Sequence, residues 1–154
     1  MRLSKKSQYA LRALTRLAMA PKRGHVQAHE LARSEHIPGK FLEHILLVLT
    51  NARILQSRRG VGGGYTLNRG PDQITLGEVI CLMEGALSLF SCHDETAGGC
   101  CSWAESGEDC GLCGLMGELG AGFSRALEAT TLADVCARTR DLQRQRAATG
   151  TYDI

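Results

Sequence analysis

No stretch of this 154-residue chain is apolar over anything like the roughly 20 residues needed to span a bilayer, the longest candidate being the few residues around Ile45 to Leu49. A membrane-spanning class is therefore not expected. A secretory signal is missing too. Met1 to Ala20 mixes basic and apolar residues, but Arg12 and Arg16 interrupt what would have to be a continuous apolar region, so an amphipathic helix is expected there. The chain shows no catalytic apparatus, and neither enzymatic activity nor a small-molecule substrate is expected. Its seven cysteines are an odd number, and the chain is long enough to bury an ordinary core, so a disulfide framework does not fit. These absences together describe a soluble cytoplasmic protein with reduced thiols.

Lys and Arg are absent from one segment in particular. Between residues 92 and 113 stand Cys92, Cys100, Cys101, Cys110 and Cys113, separated by glycines and carboxylates. That is the makeup of a metal-binding loop. Elsewhere the charge is split: residues 1–70 hold 13 Lys and Arg against 3 Asp and Glu, a net of +10, and residues 71–154 hold 5 against 13, a net of −8. A basic half joined to an acidic half suggests one face for a polyanion and another with a different task. A merely solvated basic surface is the rival, and only a matching fold decides between them.

The periodicity predicts that fold: mainly α, with a small β-hairpin wing, a winged helix-turn-helix followed by a long helix with a wide apolar face. Ala10, Leu11, Leu14, Leu17 and Ala18 recur at helical spacing, in a helix that should end near Pro21 and Gly24. Ala28, Leu31 and Ala32 line a short second helix, and Pro38 and Gly39 open a third. In that third helix Phe41, Leu42, Ile45, Leu46 and Leu49 form the expected buried stripe, which turns Lys40, Glu43 and His44 outward near its N-terminus. Placed in a DNA major groove, those three would face base edges. Two short strand-like runs follow, Ile54 to Ser57 and Tyr65 to Leu67. Between them lies Arg58-Arg59-Gly60-Val61-Gly62-Gly63-Gly64, a basic tip at which glycine permits positive φ and close approach of the backbone to a phosphate. Arg58, Arg59, Gly60, Gly62 and Gly63 are the candidate contacts of this wing. A nucleotide-binding glycine loop is the alternative, but no Gly-Lys-Ser/Thr follows and the next element is a strand.

Past the cysteines, Leu112, Leu115, Leu119, Gly122 and Ala126 continue one stripe that Met116, Phe123 and Leu127 broaden over almost five turns. Such a face needs a partner, either a second copy of the chain or the first helix of the same chain.

Several landmarks carry a resemblance: Met-Arg-Leu-Ser with Tyr9-Ala10, Phe41-Leu42-Glu43, the wing from Arg59 to Tyr65, Thr75-Leu76-Gly77-Glu78-Val79-Ile80, the cysteine loop, and Thr131-Leu132-Ala133-Asp134. Over residues 1 to about 135 the chain resembles the IscR/NsrR group of bacterial winged helix-turn-helix transcription regulators. The resemblance implies a homodimer that binds double-stranded operator DNA, with a long helix as the dimer interface and three loop cysteines holding an iron–sulfur cluster, 2Fe-2S in the first place and 4Fe-4S as the other form. Two-fold symmetry makes the expected operator an imperfect palindrome. Aligned backwards from Thr131, Cys92 falls at the family's first ligand and Cys110 at its third, with Cys100 or Cys101 as the second. The fourth departs from the pattern. IscR-like members carry a histidine where this chain has Cys113, and NsrR-like members use an acidic side chain of the partner's first helix where this chain has Gln8. Cys113 is the preferred fourth ligand and His93 the weaker one.

Soft thiolates also suit zinc, the main alternative cofactor, although structural zinc sites usually show two close pairs and only Cys110 and Cys113 make a Cys-x-x-Cys here. On that reading the protein is a zinc-stabilised DNA-binding structural protein. A thiol oxidoreductase fits less well, because no strand precedes Cys110 and the neighbouring Glu108 and Asp109 would raise a thiol pKa. Cys81, among Val79, Ile80, Leu82 and Met83, and Cys136 are expected in the core. The expected organisation is a DNA-binding domain over 1–70, a connecting helix over 71–91, a cluster loop over 92–113, a dimerisation helix with a short following helix over 112–137, and a flexible tail over 138–154. The protein would then be a redox-, nitric-oxide- or iron-responsive regulator, a repressor or activator.

Overall fold

A computed structural model of the chain describes residues 3–20, 24–60, 62–85 and 111–149. Helix α1 spans Lys5–Met19, and the Ser4 side chain caps it by accepting from the Ser7 N–H. Its buried face carries Ala10, Ala13, Leu14 and Leu17. Helix α2, Ala28–Glu35, stops where His36 turns left-handed at φ 53°. Ile37 is then buried, and Pro38 leads into α3, Gly39–Asn51. Leu42, Ile45, Leu46 and Leu49 of α3 are fully buried. Each such side chain withdrawn from water contributes about 1.5–3 kcal/mol, so this stripe anchors the reading head. Phe41 does not belong to the stripe as expected. It is 40 % exposed, because it sits at the stripe's edge and leans on α1 rather than into the core.

Strands β1, Leu55–Arg58, and β2, Gly64–Leu67, pair antiparallel with Leu55 opposite Leu67 and Arg58 opposite Gly64. Val26, ahead of α2, adds an isolated bridge to Tyr65. A 3-10 turn over Pro71–Gln73 leads to α4, Leu76–Glu84, which Thr75 caps by accepting from the Glu78 N–H. Helix α5 covers Gly111–Ala129 and α6 covers Leu132–Thr149. The core is continuous through both halves: Ile74, Val79, Met83, Leu132 and Cys136 join the α1 and α3 leucines. Among the described residues, no helix is long and apolar enough to cross a membrane.

Two further expectations need correction. The tail assigned from residue 138 onward is helical as far as Thr149, so the helix after Thr131 is not short. Past Cys136 its polar composition offers no buried side chain, yet Arg, Gln, Ala and Leu are good helix formers, and Thr131 caps its N-terminus by accepting from the Asp134 N–H at 3.2 Å. Cys81 is exposed rather than part of the core, because Val79, Ile80 and Met83 take the inward side of α4. Cys136 is buried, and that burial pushes its thiol pKa up.

Candidate nucleic-acid interface and cysteine segment

Opposite the buried stripe of α3, Lys40, Glu43 and His44 are all exposed. The helix begins without a side-chain cap and without an acidic residue in its first turn. Its first N–H groups and positive dipole end therefore favour an approaching anion. Beside this end Phe41 meets Tyr9 edge to face, with ring centres 5.8 Å apart and planes at 82°. The Lys5 ammonium lies 6.0 Å from the Tyr9 ring centre. The basic start of α1 is thus brought to the reading helix, an arrangement that sequence reasoning missed. Basic residues in the first turn of α1 were the available signal.

Arg58 ends β1, while Arg59, Gly60 and Gly62 are exposed on the tip. The chain turns there with φ +97° at Gly60 and +76° at Gly62. Gly63 is buried, and its N–H donates to the Gly60 carbonyl at 2.9 Å. At Gly64 space is decisive: a Cβ would stand 2.5 Å from the Val26 carbonyl oxygen. That approach lets Val26 and Tyr65 exchange two backbone hydrogen bonds of 3.0 and 2.9 Å, which fix the wing to the chain entering α2. Arg58 and Arg59 are consequently displayed from a hairpin tied to the same domain as α3.

Cys92, Cys100, Cys101, Cys110 and His93 lie outside the described residues. Cys113 falls in the first turn of α5. Gln8 donates through Nε2 to the Leu3 carbonyl at 2.8 Å. The cysteine segment leaves α4 at Gly85, directly after Glu84. That carboxylate accepts from the Ser7 hydroxyl and, at 2.9 Å, from the Ser4 N–H. The Ser7 hydroxyl above all, followed by the Ser4 contacts, holds the Glu84 pKa below its ordinary value. This link between the start of α1 and the end of α4 joins residues 80 apart in sequence, and nothing in the sequence signals it.

The family profile described as "Rrf2: Iron-dependent Transcriptional regulator" matches residues 3–138. The chain belongs to the Rrf2 family. It is 34 % identical over 143 residues to the HTH-type transcriptional regulator slr0846 of Synechocystis, a role that protein's own name marks as inferred; the match spans 93 % of this chain and 92 % of the relative. Its fold is similar to CymR, the global cysteine regulator of B. subtilis, with a TM-score of 0.75 and 26 % identity over 90 % of this chain and 98 % of that one. It is likewise similar to IscR of T. potens, with a TM-score of 0.71 and 26 % identity over 93 % and 91 % of the two chains. This Rrf2-family chain is a winged-helix, DNA-binding transcriptional regulator. Its relatives are named as regulators, not enzymes.

Proposed function

We propose that the protein is a cytoplasmic homodimer whose affinity for a palindromic operator depends on an iron–sulfur cluster held by its cysteine loop. The observation that carries this reading is the gathering of five cysteines, four between α4 and α5 and the fifth in the first turn of α5, in a chain whose family is described as iron-dependent. The chemistry of the donor set fits the group, since soft Cys thiolates are the ligands that iron–sulfur clusters take. Cys92, Cys100 or Cys101, Cys110 and Cys113 would hold it. When bound, the cluster supplies a cross-link between its thiols that oxidants, nitric oxide or iron shortage can remove.

The chain's own residues provide the rest. Leu112, Leu115, Leu119 and Phe123 of α5 are 59, 53, 55 and 39 % exposed, an apolar stripe suited to the same stripe of a second copy. The way residues 92–113 are held by a cluster would fix where α5 starts, and α5 would set the separation of two reading heads. A coupling of about 1–3 kcal/mol is enough to change operator affinity by one to two orders of magnitude. Lys40, Glu43 and His44 would read bases, while Arg58, Arg59 and the Gly60, Gly62 and Gly63 backbone would hold phosphates.

Purification without oxygen, iron and sulfide determination, and operator binding before and after cluster removal test the proposal. Bound iron and sulfide with a changed affinity support it. Zinc in their place, or an affinity indifferent to cluster loss, overturns it. Leu119→Asp should convert the dimer to monomer in sedimentation; an unaltered dimer removes α5 from the interface.

A further inference from the structure

Away from the reading face and the cysteine segment, α1, α2 and α6 line an open cleft of about 360 Å³. That volume lies within the range of small-molecule sites. Leu11, Met19 and Val135 supply an apolar lining, and two arginines one helical turn apart on α1 stand at its wall.

The arginines differ in what they have left to offer. Arg12 is committed: its guanidinium donates to the Glu35 carboxylate at 3.3 Å and to the Glu35 carbonyl. Arg16 makes no ion pair or side-chain hydrogen bond among the described residues. With Arg12 and Glu35 cancelling, the cleft keeps one positive charge carried by a fork of donors suited to a carboxylate. The hydroxyls in the cleft have the opposite character. Thr15 donates its hydroxyl proton to the Leu11 carbonyl and Thr139 donates its own to the Val135 carbonyl, both at 2.8 Å. Only lone pairs remain to face a guest. Beside them, the Glu35 carboxylate, whose Oε2 accepts from Arg12, has its second oxygen left to accept. Gln143, which also lines the cleft, adds an amide that can donate or accept. A charged donor fork, several acceptors and an apolar patch are complementary to a zwitterion with an apolar side chain.

We propose that this cleft binds a free α-amino acid of apolar side chain, its carboxylate on Arg16, its ammonium among Glu35 and the threonine hydroxyls, and its side chain against Leu11, Met19 and Val135. The guest is a regulatory ligand rather than a substrate. It would bridge the reading head to α6, and the site uses no residue of the cysteine segment, so it stands or falls independently of cluster binding.

Calorimetric titration of the full-length protein with L-leucine and L-methionine, with and without a bound cluster, tests it. Saturable binding of one ligand per chain is expected in both preparations. Arg16→Gln should weaken it at least tenfold with the circular dichroism spectrum unchanged, because it removes a charge-assisted contact. Thr139→Val should weaken it less, and 4-methylpentanoate, which is leucine without the ammonium, should bind more weakly than leucine. No saturation up to about 10 mM, a range that spans millimolar affinities, overturns the proposal. So does Arg16→Gln binding as tightly as wild type, or 4-methylpentanoate binding as tightly as leucine.

Discussion

Replacing Gly64 by Ala isolates what the wing contributes. At φ +150° an alanine is strained, at a cost of about 1–3 kcal/mol. Its Cβ would also stand 2.5 Å from the oxygen and 2.7 Å from the carbon of the Val26 carbonyl, both backbone atoms that no rotamer change can move. The strand must shift, and the Val26–Tyr65 hydrogen bonds of 3.0 and 2.9 Å weaken or break. At about 1 kcal/mol for each bond, the total destabilisation comes to roughly 3–5 kcal/mol. That is a large fraction of the ~5–15 kcal/mol typical of a domain. Gly62→Ala is the control. Gly62 has φ +76°, but a Cβ at that position would meet nothing within 4 Å, so only the backbone cost of about 1–2 kcal/mol applies. Urea unfolding of both variants, compared at equal m, measures the difference. Operator binding under folding conditions then reports whether the displaced wing still contacts DNA. A Gly64→Ala protein no less stable than Gly62→Ala refutes the steric reasoning. A destabilised variant that keeps wild-type affinity removes the wing from the interface.

Arg59→Ala should weaken operator binding across sequences and reduce the salt slope by about one ion, whereas Lys40→Ala or His44→Ala should change base preference by about 1–3 kcal/mol; competition binding at several salt concentrations separates the two. Glu84→Gln should destabilise at neutral pH. The folded Glu84 pKa is lowered, so its contribution is present above the ordinary glutamate value of 4.5 and is lost as pH falls through the folded value. Wild type and variant should converge in stability under acid, and a gap that persists or widens there contradicts the Ser4–Ser7–Glu84 link.

The reading head was legible in the sequence because two periodicities agree with its chemistry. The α3 leucines recur at helical spacing, and glycines interrupt the basic run where the hairpin must turn. Phe41 and Cys81 misled for a common reason. An apolar neighbourhood along the chain is not an apolar neighbourhood in space, and both side chains lie outside the inward stripe of their helices. Helix α6 was hidden because a charged helix without a sustained apolar face carries only propensity, which is a weak signal. The cleft at Arg16 could not be read at all. Its walls come from three helices, and the difference between Arg12 and Arg16 depends on Glu35, which only the tertiary arrangement places beside Arg12.

Helix α4 links the two halves. At its start Leu76 donates to the Thr130 carbonyl at 2.9 Å, and Leu132 donates to the Ile74 carbonyl at 2.8 Å, which fastens it to the corner between α5 and α6. Gly77 strengthens that attachment, because a Cβ there would lie only 3.2 Å from the Glu128 backbone nitrogen. At its other end Glu84 holds the first turn of α1, whose Tyr9 touches Phe41 on the reading helix. The cysteine segment therefore begins on the helix that grips the reading head and ends on the helix that carries the exposed apolar stripe. A change in how residues 92–113 are held would reach α5 directly and α3 by way of α1 and the shared core, to which the Ser7–Glu84 and Tyr9–Phe41 contacts add. Weakening either contact should lower the coupling between the loop and the operator while leaving the stripe of α5 intact.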